Sequence, residues 1–364
     1  MPDKILAPLP DLFLRPDGTR VSSKEEWRAH RQYLLDLIVN MQYGGMPPKP
    51  EKVEVEQVMR YTGRAIGTYR IHADGFTFCL QVYVPNDLKA SAPVVLTGDG
   101  CYRTMNDQVI DEINRRGMIA AKFNRTELAQ DLYKTDRTGG LYDLYPGMTF
   151  GALSAWAWGY HRAMDALCTL DYVDSSKVAI TGHSRGGKTV LLAGATDERF
   201  AYINPNNSGA GGCGCYRYHT VIDNPDLPRG EQRSETLEDL MRNLSYWFGP
   251  EMFKYVDCEE KLPFDQHMLK ALIAPRVLFE TEALGDTWSN PKGTWQTHQA
   301  AREAWKLVGD TKNIAIRYRP GGHQHEFGAF TALLDLMQTG IAPEANYFPE
   351  METMFDWQAP SQSK

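Results

Sequence analysis

A serine between two glycines is the first candidate for chemistry, in Gly182-His183-Ser184-Arg185-Gly186. The apolar residues 178–180 precede this segment, and the small and apolar residues 189–195 follow it. A strand, a Gly-x-Ser-x-Gly turn and a helix in direct succession are typical of a nucleophile elbow, which holds a serine Oγ above the edge of a sheet. Because a hydroxyl at its ordinary pKa is a poor nucleophile, a base must lie within hydrogen-bond reach. The pattern predicts Ser184 as a nucleophile; the alternative is a surface turn.

The candidate for the base is His323, in Arg319-Pro-Gly-Gly-His323. In chains with such an elbow the partners follow the serine in the order acid, then histidine. His323 comes just after the last apolar run, residues 314–316, and the glycine pair frees the backbone before it. His325, two residues further on, is the alternative, and we interpret it as a surface or supporting residue.

Three carboxylates follow the apolar residues 277–279, namely Glu280, Glu282 and Asp286. Asp286 lies past the end of the expected strand, where a carboxylate can orient the imidazole and stabilise its charged form. Glu280 and Glu282 lie nearer to the strand, where we expect salt bridges. The sequence therefore favours Asp286 as the acid and leaves Glu280 and Glu282 as alternatives.

Two cations, Arg185 and Lys188, lie in the first turn of the helix expected after Ser184. A cation at a helix N-terminus opposes the helix dipole and costs roughly 0.3–1 kcal/mol. A local rule broken beside a nucleophile suggests function, such as stabilising an oxyanion or binding the hydroxyl and carboxyl groups of a substrate. The alternative is that both side chains extend into solvent. For the oxyanion we expect two amide donors, the N–H of Arg185 and one from the glycine-containing loop 97–102.

Hydrophobic periodicity predicts the elements that position these residues. Residues 22–43 have helical spacing after a capping-box start, which predicts an N-terminal helix outside the sheet. Residues 53–84 alternate and predict antiparallel strands at a sheet edge. Short apolar runs then alternate with helical stretches and predict parallel strands covered on both faces, at residues 93–96, 118–121, 178–180, 202–203, 277–279 and 314–316. The predicted fold class is α/β, a three-layer α/β-hydrolase sandwich with a mostly parallel central sheet.

The domain organisation follows from length and pattern. A chain of 364 residues is long enough for two domains, but α/β enzymes of this length often form one. We predict a single domain over residues 1–364, with an N-terminal extension over residues 1–50. Residues 207–265 show no strand signal, only loop residues and the helical segment 234–247. This predicts an insertion near the carboxyl edge of the sheet, where such folds bind ligands.

Composition and charge argue against several classes of protein. A net charge of -7 offers no basic patch for nucleic acid, and no apolar run reaches the roughly 20 residues that cross a membrane. The start MPDKILAPLPDLF lacks a signal-peptide pattern, which predicts a cytoplasmic protein, or a secreted or periplasmic one if the sequence has been trimmed. The six cysteines are expected to be reduced. Cys213 and Cys215, even with His219 nearby, lack the spacing and the second pair of a zinc site, so we predict no metal and no cofactor.

Several longer strings resemble the glucuronoyl esterases of carbohydrate esterase family fifteen. They are the elbow through Lys188 with Asp197-x-Arg199-Phe200-Ala201 after it, Ala155-Trp-Ala-Trp-Gly159 before it, Leu262-Pro-Phe-Asp-Gln-His-Met-Leu-Lys-Ala-Leu-Ile-Ala-Pro-Arg276, Asp286-x-Trp288-x-Asn290-Pro291-x-Gly293, and Arg319-Pro-Gly-Gly-His323. The opening Asp17-Gly18-x-x-Val21 with Trp27 is also similar. The resemblance therefore spans nearly the whole chain.

This resemblance implies hydrolysis, through an acyl-enzyme, of an ester between a glucuronic acid on xylan and an alcohol. The residues that it assigns are the nucleophile Ser184, the base His323, the oxyanion-hole side chain Arg185, the sugar ligands Lys188 and Glu235, and Trp288, which packs on the sugar. The expected partner is a small-molecule or oligosaccharide uronate ester.

Two features depart from the family pattern. Many members carry a catalytic glutamate before Ser-Gly-x-Gly-Gly, where this chain has Asn206-Asn207. The acid must then come from the later loop, as in members that use the position of Asp286. The lignin-linked substrates of the family lie outside the cell, whereas this sequence shows no signal peptide, so small imported uronate esters are the expected substrates of an intracellular member.

Two other functions remain open on the sequence alone. An acetyl- or feruloyl-type carbohydrate esterase on the same scaffold would keep the catalytic residues but would not need Lys188 and Glu235 to face the acyl group. A catalytically silent binder of acidic sugars is suggested by the asparagine at the position of the family's glutamate.

The remaining aromatic residues discriminate little. Trp156, Trp158 and Trp247 could join Trp288 in a sugar platform, but aromatic side chains at this density usually belong to the core. We therefore place only Trp288 in the site. His267, although it lies in a long matching string, is expected to support its loop.

Overall fold

A mixed β-sheet forms the centre of the fold. The structure is a computed structural model that describes residues 3–61, 66–133, 136–222 and 224–340. The strands in these ranges are β1 (Lys4–Ile5), β2 (Val53–Tyr61), β3 (Ile66–Ala73), β4 (Phe76–Tyr83), β5 (Ala92–Thr97), β6 (Ile119–Phe123), β7 (Val173–His183), β8 (Tyr202–Asn206), β9 (Tyr218–His219), β10 (Val277–Ala283) and β11 (Ile314–Arg319).

The strand order of the main sheet is β11-β10-β8-β7-β5-β6-β4-β3-β2. The pairs from β6 to β11 along this order are parallel, whereas β2, β3 and β4 are antiparallel and join the sheet through β4 and β6. The predicted α/β class, the mostly parallel sheet and its antiparallel edge are thus confirmed. Because the carboxyl ends of the parallel strands share one edge, the loops after β5, β7, β10 and β11 come together there.

Helices connect the strands. They are α1 (Lys24–Tyr43), α2 (Asp107–Arg115), α3 (Leu141–Leu144), α4 (Ala152–Leu167), α5 (Arg185–Thr196), α6 (Arg229–Gln232), α7 (Leu237–Asn243), α8 (Gln266–Ala271), α9 (Pro291–Val308) and α10 (Phe327–Thr339). The side chain of Ser23 caps α1 by accepting a hydrogen bond from the N–H of Glu26, and α1 ends at Gly44, which has a left-handed φ of 71°. The capped N-terminal helix predicted over residues 22–43 is therefore confirmed.

Helices cover both faces of the sheet. On one face, α4 and α5 bury Trp156 and Leu191 in the main core. On the other, α2 and α10 bury Ile113 and Leu333 against Val95 of β5. Since full burial of a large apolar side chain contributes about 1.5–3 kcal/mol, these layers hold the sheet and its carboxyl edge in place. Within the described ranges, no helix combines the length and the apolar character that a membrane span requires.

The region 207–265 differs in one respect from its prediction. The sequence predicts no strand there, but β9 pairs antiparallel with β1, with His219 opposite Lys4. A two-residue strand is too short to show an alternating pattern. The predicted helical segment 234–247 consists of α7 followed by a 3-10 turn over Ser245–Trp247. Just before α7, the N–H of Glu235 donates to the carbonyl of Trp288 at 2.9 Å, which brings this region against the loop after β10.

Candidate active site

Ser184 lies in the tight turn between β7 and α5. Its backbone is left-handed, with φ 56° and ψ -118°, a conformation that is uncommon and strained for a residue other than glycine. Its N–H donates to the carbonyl of Asn206 at 2.8 Å, which ties the turn to the end of β8. A Cβ on Gly182 would overlap the carbonyl oxygen of Gly186, so the turn requires glycine there. This is the geometry of a nucleophile elbow.

His323 reaches the same place from the loop after β11. Its ring centroid lies 4.5 Å from that of His183, the residue directly before Ser184. Its Nδ1 lies 2.6 Å from Oδ2 of Asp286. Because an ionised carboxylate only accepts hydrogen bonds, Nδ1 carries the proton, and Nε2 is the basic nitrogen of the neutral ring. The side chain is 41% exposed, so a substrate can approach it.

Asp286 lies just past the end of β10 and is 4% exposed. Besides the bond from His323, its Oδ2 accepts a hydrogen bond from Nδ2 of Asn207 at 2.6 Å. Its Oδ1 accepts one from the N–H of Ser289 at 3.4 Å. Burial alone would raise the pKa of Asp286, but the bonds from His323, Ser289 and Asn207 hold it below its usual value. Asp286 is therefore an ionised partner for the imidazole.

The other two carboxylates considered as the acid lie inside β10. Glu280 is fully buried and pairs with Lys270 and, at 2.5 Å, with Nδ1 of His298. Glu282 is also fully buried, but it has no cationic partner in the described part of the chain, so the salt bridge predicted for it is absent. Burial, together with the nearby Asp286 and Glu280, raises the pKa of Glu282 well above its usual value. Of the three, Asp286 alone contacts the imidazole of His323 within the described residues.

Arg185 is the first residue of α5, and its guanidinium is held from two directions. Its Nη1 donates to both carboxylate oxygens of Asp131 at 2.9 Å, and its guanidinium carbon lies 4.6 Å from the ring centroid of Trp247. Although burial opposes the charge, the Asp131 carboxylate raises the pKa of Arg185. The side chain is only 18% exposed, so it does not extend into solvent. A fixed positive charge therefore lies directly beside Ser184.

Lys188 lies one turn further along α5 and is 2% exposed. Its Nζ donates to Oε2 of Glu235 at 2.9 Å and to the carbonyl of Ala210 at 2.5 Å. Removing two charges from water costs about as much as their mutual attraction returns, so such a pair adds little to stability. A buried ion pair next to a nucleophile is instead typical of a binding site.

Two tryptophans border this pair. The ring of Trp247 lies 5.9 Å from Nζ of Lys188 and so contacts both site cations. Trp288 is partly exposed, its carbonyl accepts the Glu235 N–H, and its ring lies 5.6 Å from the guanidinium carbon of Arg233. The sequence places only Trp288 in the site, whereas the structure brings Trp247 there as well.

Similarity to known proteins identifies the family of this chain. A family model described as glucuronyl esterase of fungi matches residues 70–309. The chain belongs to the glucuronoyl esterase family. It is 31% identical over 324 residues to a 4-O-methyl-glucuronoyl methylesterase from Phanerochaete carnosa, covering 87% of this chain and 76% of that protein. The resemblance seen in the sequence is thus confirmed.

A second relative and a solved structure agree with this assignment. A 4-O-methyl-glucuronoyl methylesterase from Podospora anserina is 30% identical over 323 residues, which are 87% of this chain and 63% of that protein, so this chain spans less than two thirds of that relative. A solved glucuronoyl esterase of carbohydrate esterase family 15 from Caldicellulosiruptor kristjansonii matches with a TM-score of 0.81 and 29% identity, covering 96% of this chain and 97% of that one.

The loop after β5 offers this family member few free amides. Its N–H groups already donate within the protein, from Gly98 to the Tyr160 hydroxyl, from Asp99 to Thr97 Oγ1, from Gly100 to the Phe123 carbonyl and from Tyr102 to the Asp99 carbonyl. Within residues 98–102, which are all described, the Cys101 N–H is left as the candidate for the expected second oxyanion donor. The Tyr102 ring lies 6.0 Å from the guanidinium carbon of Arg185, so the loop lies beside that side chain.

Two aspartates that sequence reasoning missed hold the site together. Asp99 is buried, pairs with Arg125, and accepts the N–H of His183 at 2.8 Å, which fixes the loop after β5 against the elbow. Asp131 anchors Arg185. The available signal was their position shortly after strands β5 and β6, at the carboxyl edge where parallel sheets bind ligands. That signal does not separate these aspartates from other polar loop residues.

The remaining histidines and aromatic residues named from the sequence support the fold. Nε2 of the buried His267 makes a 2.9 Å hydrogen bond with the carbonyl of Pro10. The ring of His325 stacks on Phe330 with centroids 4.0 Å apart and takes no part in the contact with Asp286. Trp156 and Trp158 are buried in the main core, as interpreted from the sequence.

The cysteines are free thiols, as the sequence predicts. Cys215 Sγ donates to Oδ2 of Asp265 at 3.4 Å, and Nε2 of His219 makes a 2.8 Å hydrogen bond with the carbonyl of Tyr216. Among the residues that the structure describes, no group of three or more His, Cys, Asp or Glu side chains is placed to hold a metal ion.

Proposed function

We propose that this chain is a serine esterase that hydrolyses esters of glucuronic acid, including 4-O-methyl glucuronate, the acid named for its relatives. The observation that carries the proposal is the 2.6 Å contact between Asp286 and His323 at a ring that packs beside the strained Ser184 turn. A second observation supports the substrate class, because the buried Lys188–Glu235 ion pair offers a polar site for the acid half of the ester.

The proposed reaction uses these residues in two steps. Nε2 of His323 removes the proton from Ser184 Oγ as Oγ bonds to the ester carbonyl carbon, which gives a tetrahedral intermediate and an imidazolium that Asp286 stabilises. The intermediate then breaks its bond to the alcohol oxygen, and His323 returns the proton to that leaving group. A water molecule, deprotonated by the same nitrogen, then bonds to the acyl carbon and forms a second tetrahedral intermediate. This intermediate breaks its bond to Ser184 Oγ, which takes the proton back from His323, and the uronic acid leaves.

Charge develops on the carbonyl oxygen during both steps, and we assign its stabilisation to Arg185. Its guanidinium is fixed before the reaction by Asp131 and Trp247, so it need not reorganise when the oxyanion forms. Most backbone N–H groups of the loop after β5 already donate hydrogen bonds within the protein. The side chain of Arg185 therefore replaces some of the hydrogen bonds to the oxyanion that backbone N–H groups donate in other esterases.

We expect Arg185→Lys to lower kcat by about 10²-fold, the usual effect of removing one oxyanion donor, with a smaller change in KM. Lysine keeps the charge, but its ammonium group is not planar and cannot lie flat on Trp247 while it contacts Asp131. Steady-state kinetics on methyl glucuronate check this. Lys177→Met, which removes an exposed cation on β7, is the control and should behave as wild type. An unchanged kcat in Arg185→Lys would show that the oxyanion is stabilised elsewhere.

We assign the acid half of the substrate to the side of the turn where Lys188 and Glu235 lie. Lys188 and Glu235 together present a cation and an acceptor, which match the hydroxyl groups of a sugar, and the partly exposed Trp288 offers a face for its ring. An acetyl- or feruloyl-type esterase would gain nothing from this buried pair. A catalytically silent binder would not need the Asp286–His323 contact. That hypothesis was based on the missing carboxylate at position 207, and Asp286 supplies a carboxylate to the imidazole instead.

Lys188→Met should lower kcat/KM on methyl glucuronate by on the order of 10- to 100-fold, the value of one or two hydrogen bonds to a charged group. Activity on para-nitrophenyl acetate should change little, because an acetyl group does not reach Lys188. The single variant leaves Glu235 buried without its partner, which costs roughly 3–5 kcal/mol of stability. The double variant Lys188→Met/Glu235→Gln, which removes both charges, therefore serves as the folding control. An equal loss on both esters would contradict the proposed sugar site.

The substrate class is tested by one panel. Wild type and Ser184→Ala are assayed on benzyl and methyl glucuronate, on methyl galacturonate, and on acetylated sugars. The proposal expects the highest kcat/KM on the glucuronates. Preference for acetylated sugars would favour the acetyl esterase, whereas failure of a fluorophosphonate to label Ser184 in wild type would favour the silent binder.

A further inference from the structure

We propose that Asn207 is a positioning residue for the reaction, which holds the carboxylate of Asp286 in the orientation that His323 requires. The inference rests on the proposed role of Asp286 as the acid. Asn207 stands where many family members carry a glutamate, and we assign the asparagine a function of its own.

The contact is specific. Oδ2 of Asp286 accepts hydrogen bonds from both Nδ1 of His323 and Nδ2 of Asn207, each at 2.6 Å. The amide and the imidazole therefore share one oxygen, and the Ser289 N–H approaches the other. Donors on both oxygens stop the carboxylate from rotating about its Cβ–Cγ bond. They also favour its ionised form.

The orientation of the Asn207 amide is chemically determined. If the amide were reversed, its Oδ1 would face the Asp286 carboxylate, and two acceptors would lie in contact without a proton between them. Oδ1 of Asn207 is buried and has no hydrogen-bond partner among the described residues. Leaving such an acceptor unpaired costs free energy. The hydrogen bond from Nδ2 to Asp286 is therefore made although the oxygen of the same amide group has no partner.

The backbone of Asn207 is held for the same purpose. The residue is fully buried and has a left-handed φ of 42°, which asparagine tolerates better than most residues. Its N–H donates to the carbonyl of Thr281 at 3.0 Å, and its carbonyl accepts from the hydroxyl of Ser289 at 3.2 Å. Ser289 Oγ in turn lies 3.2 Å from Nδ1 of His323. Asn207, Asp286, Ser289 and His323 thus form a closed network behind the imidazole.

Two variants separate the amide donor from the backbone turn. Asn207→Asp keeps the shape and the tolerance of a left-handed φ but replaces the donor by a second carboxyl group. Asn207→Gly also tolerates this φ and removes the side chain. Asp74→Gly, in the turn between β3 and β4, makes the same kind of exchange at a left-handed φ of 48° and is the matched control, expected to keep the wild-type kcat.

We expect Asn207→Gly to lower kcat per folded molecule about tenfold, the effect of one hydrogen bond to a charged group, with KM within about twofold of wild type. In Asn207→Asp the two carboxyl groups lie too close for both to ionise easily. They share a proton at low pH, and the loss of that proton at higher pH leaves Asp286 facing a like charge. The kcat of Asn207→Asp should therefore fall with rising pH over a range where the kcat of wild type is constant.

Proton NMR reports the network directly. Wild type should show a downfield resonance from the Nδ1 proton of His323, and this resonance should shift or broaden in both variants but not in Asp74→Gly. A purely structural role for Asn207 predicts a lower melting temperature with an unchanged kcat per folded molecule and an unchanged pH profile. That result, or an Asn207→Asp variant with wild-type kcat at every pH, overturns the proposal.

These measurements use any ester that wild type hydrolyses, including para-nitrophenyl acetate. A wrong substrate assignment would leave the comparison of Asn207 variants intact. If wild type hydrolyses no ester at all, the proposed function fails, and the NMR resonance still tests the hydrogen-bond network.

Discussion

Replacing Ser184 by alanine is expected to lower kcat on methyl glucuronate by on the order of 10⁵- to 10⁶-fold, as when the nucleophile of a serine hydrolase is lost. Without Oγ no acyl-enzyme can form, and His323 has no hydroxyl to deprotonate. Alanine removes one atom from a half-buried side chain whose hydroxyl caps nothing in α5. The fold should therefore persist, and KM or inhibitor affinity should change little.

The measurement combines initial rates with labelling by a fluorophosphonate. Wild type should be labelled at one residue and inactivated, whereas Ser184→Ala should resist labelling. Ser176→Ala, which alters an exposed serine in β7, is the control and should retain both activity and labelling. A Ser184→Ala variant with more than about a hundredth of the wild-type kcat would contradict an acyl-enzyme on this serine, because the nucleophile of such enzymes contributes far more.

The sheet and its carboxyl edge could be predicted from the sequence because their signals are local. Each central strand is a short apolar run, and burial on both faces makes such a run nearly continuous, as in residues 178–180 of β7. The elbow joins one such strand to a helix through fixed glycines. His323 could be preferred to His325 because it comes first after the last strand, and His325 instead stacks on Phe330.

The sequence favours Asp286 over Glu280 and Glu282 as the catalytic acid but does not decide between the three, and the reason is geometric. Residues two apart in a strand point to the same face, so Glu280 and Glu282 both point into the buried layer. Asp286 lies beyond the strand, where the chain turns toward the loop that carries His323. Where a strand ends is the least certain part of a sequence pattern. The apolar run ends at residue 279, whereas β10 continues to Ala283 and includes both glutamates.

The contacts that orient the site were not predictable, because they join distant parts of the chain. Asp131 and Arg185 are 54 positions apart, and Asn207 and Asp286 are 79 apart. Neither aspartate nor asparagine carries a local pattern that names its partner. Lys188 was noted as a cation in the first turn of a helix, and family resemblance assigned Lys188 and Glu235 as sugar ligands. Their ion pair was not predicted, since burying two charges has no signal in hydrophobic periodicity.

Asp286→Asn should lower kcat by up to about 10⁴-fold, the loss known for an exchange behind a catalytic histidine that also changes its tautomer. Both His323 and Asn207 donate to Oδ2, so the new amide will place its oxygen there and direct its NH₂ group toward the Ser289 N–H. The hydrogen bond to Nδ1 can therefore persist while the negative charge is lost. The expected loss then arises from an imidazolium that is no longer stabilised, and it should appear in kcat more than in KM.

Glu282→Gln is the matched control for this variant. It is an amide-for-carboxyl exchange four residues earlier, at a group whose pKa burial raises well above its usual value, and it should keep the wild-type kcat. An inactive Glu282→Gln together with an active Asp286→Asn would move the acid into β10 and contradict the assignment.

Stability against pH offers a second readout of the Asp286 charge. Its pKa in the folded protein lies below the ordinary value of 3.8, so its ionisation stabilises the fold above about pH 3.8, and this contribution is lost as the pH falls through the lowered pKa. The difference in the free energy of unfolding between wild type and Asp286→Asn should therefore shrink as the pH falls below about 4. A difference that does not shrink between pH 4 and pH 3 would mean that the contacts of Asp286 in the folded protein do not favour its ionised form.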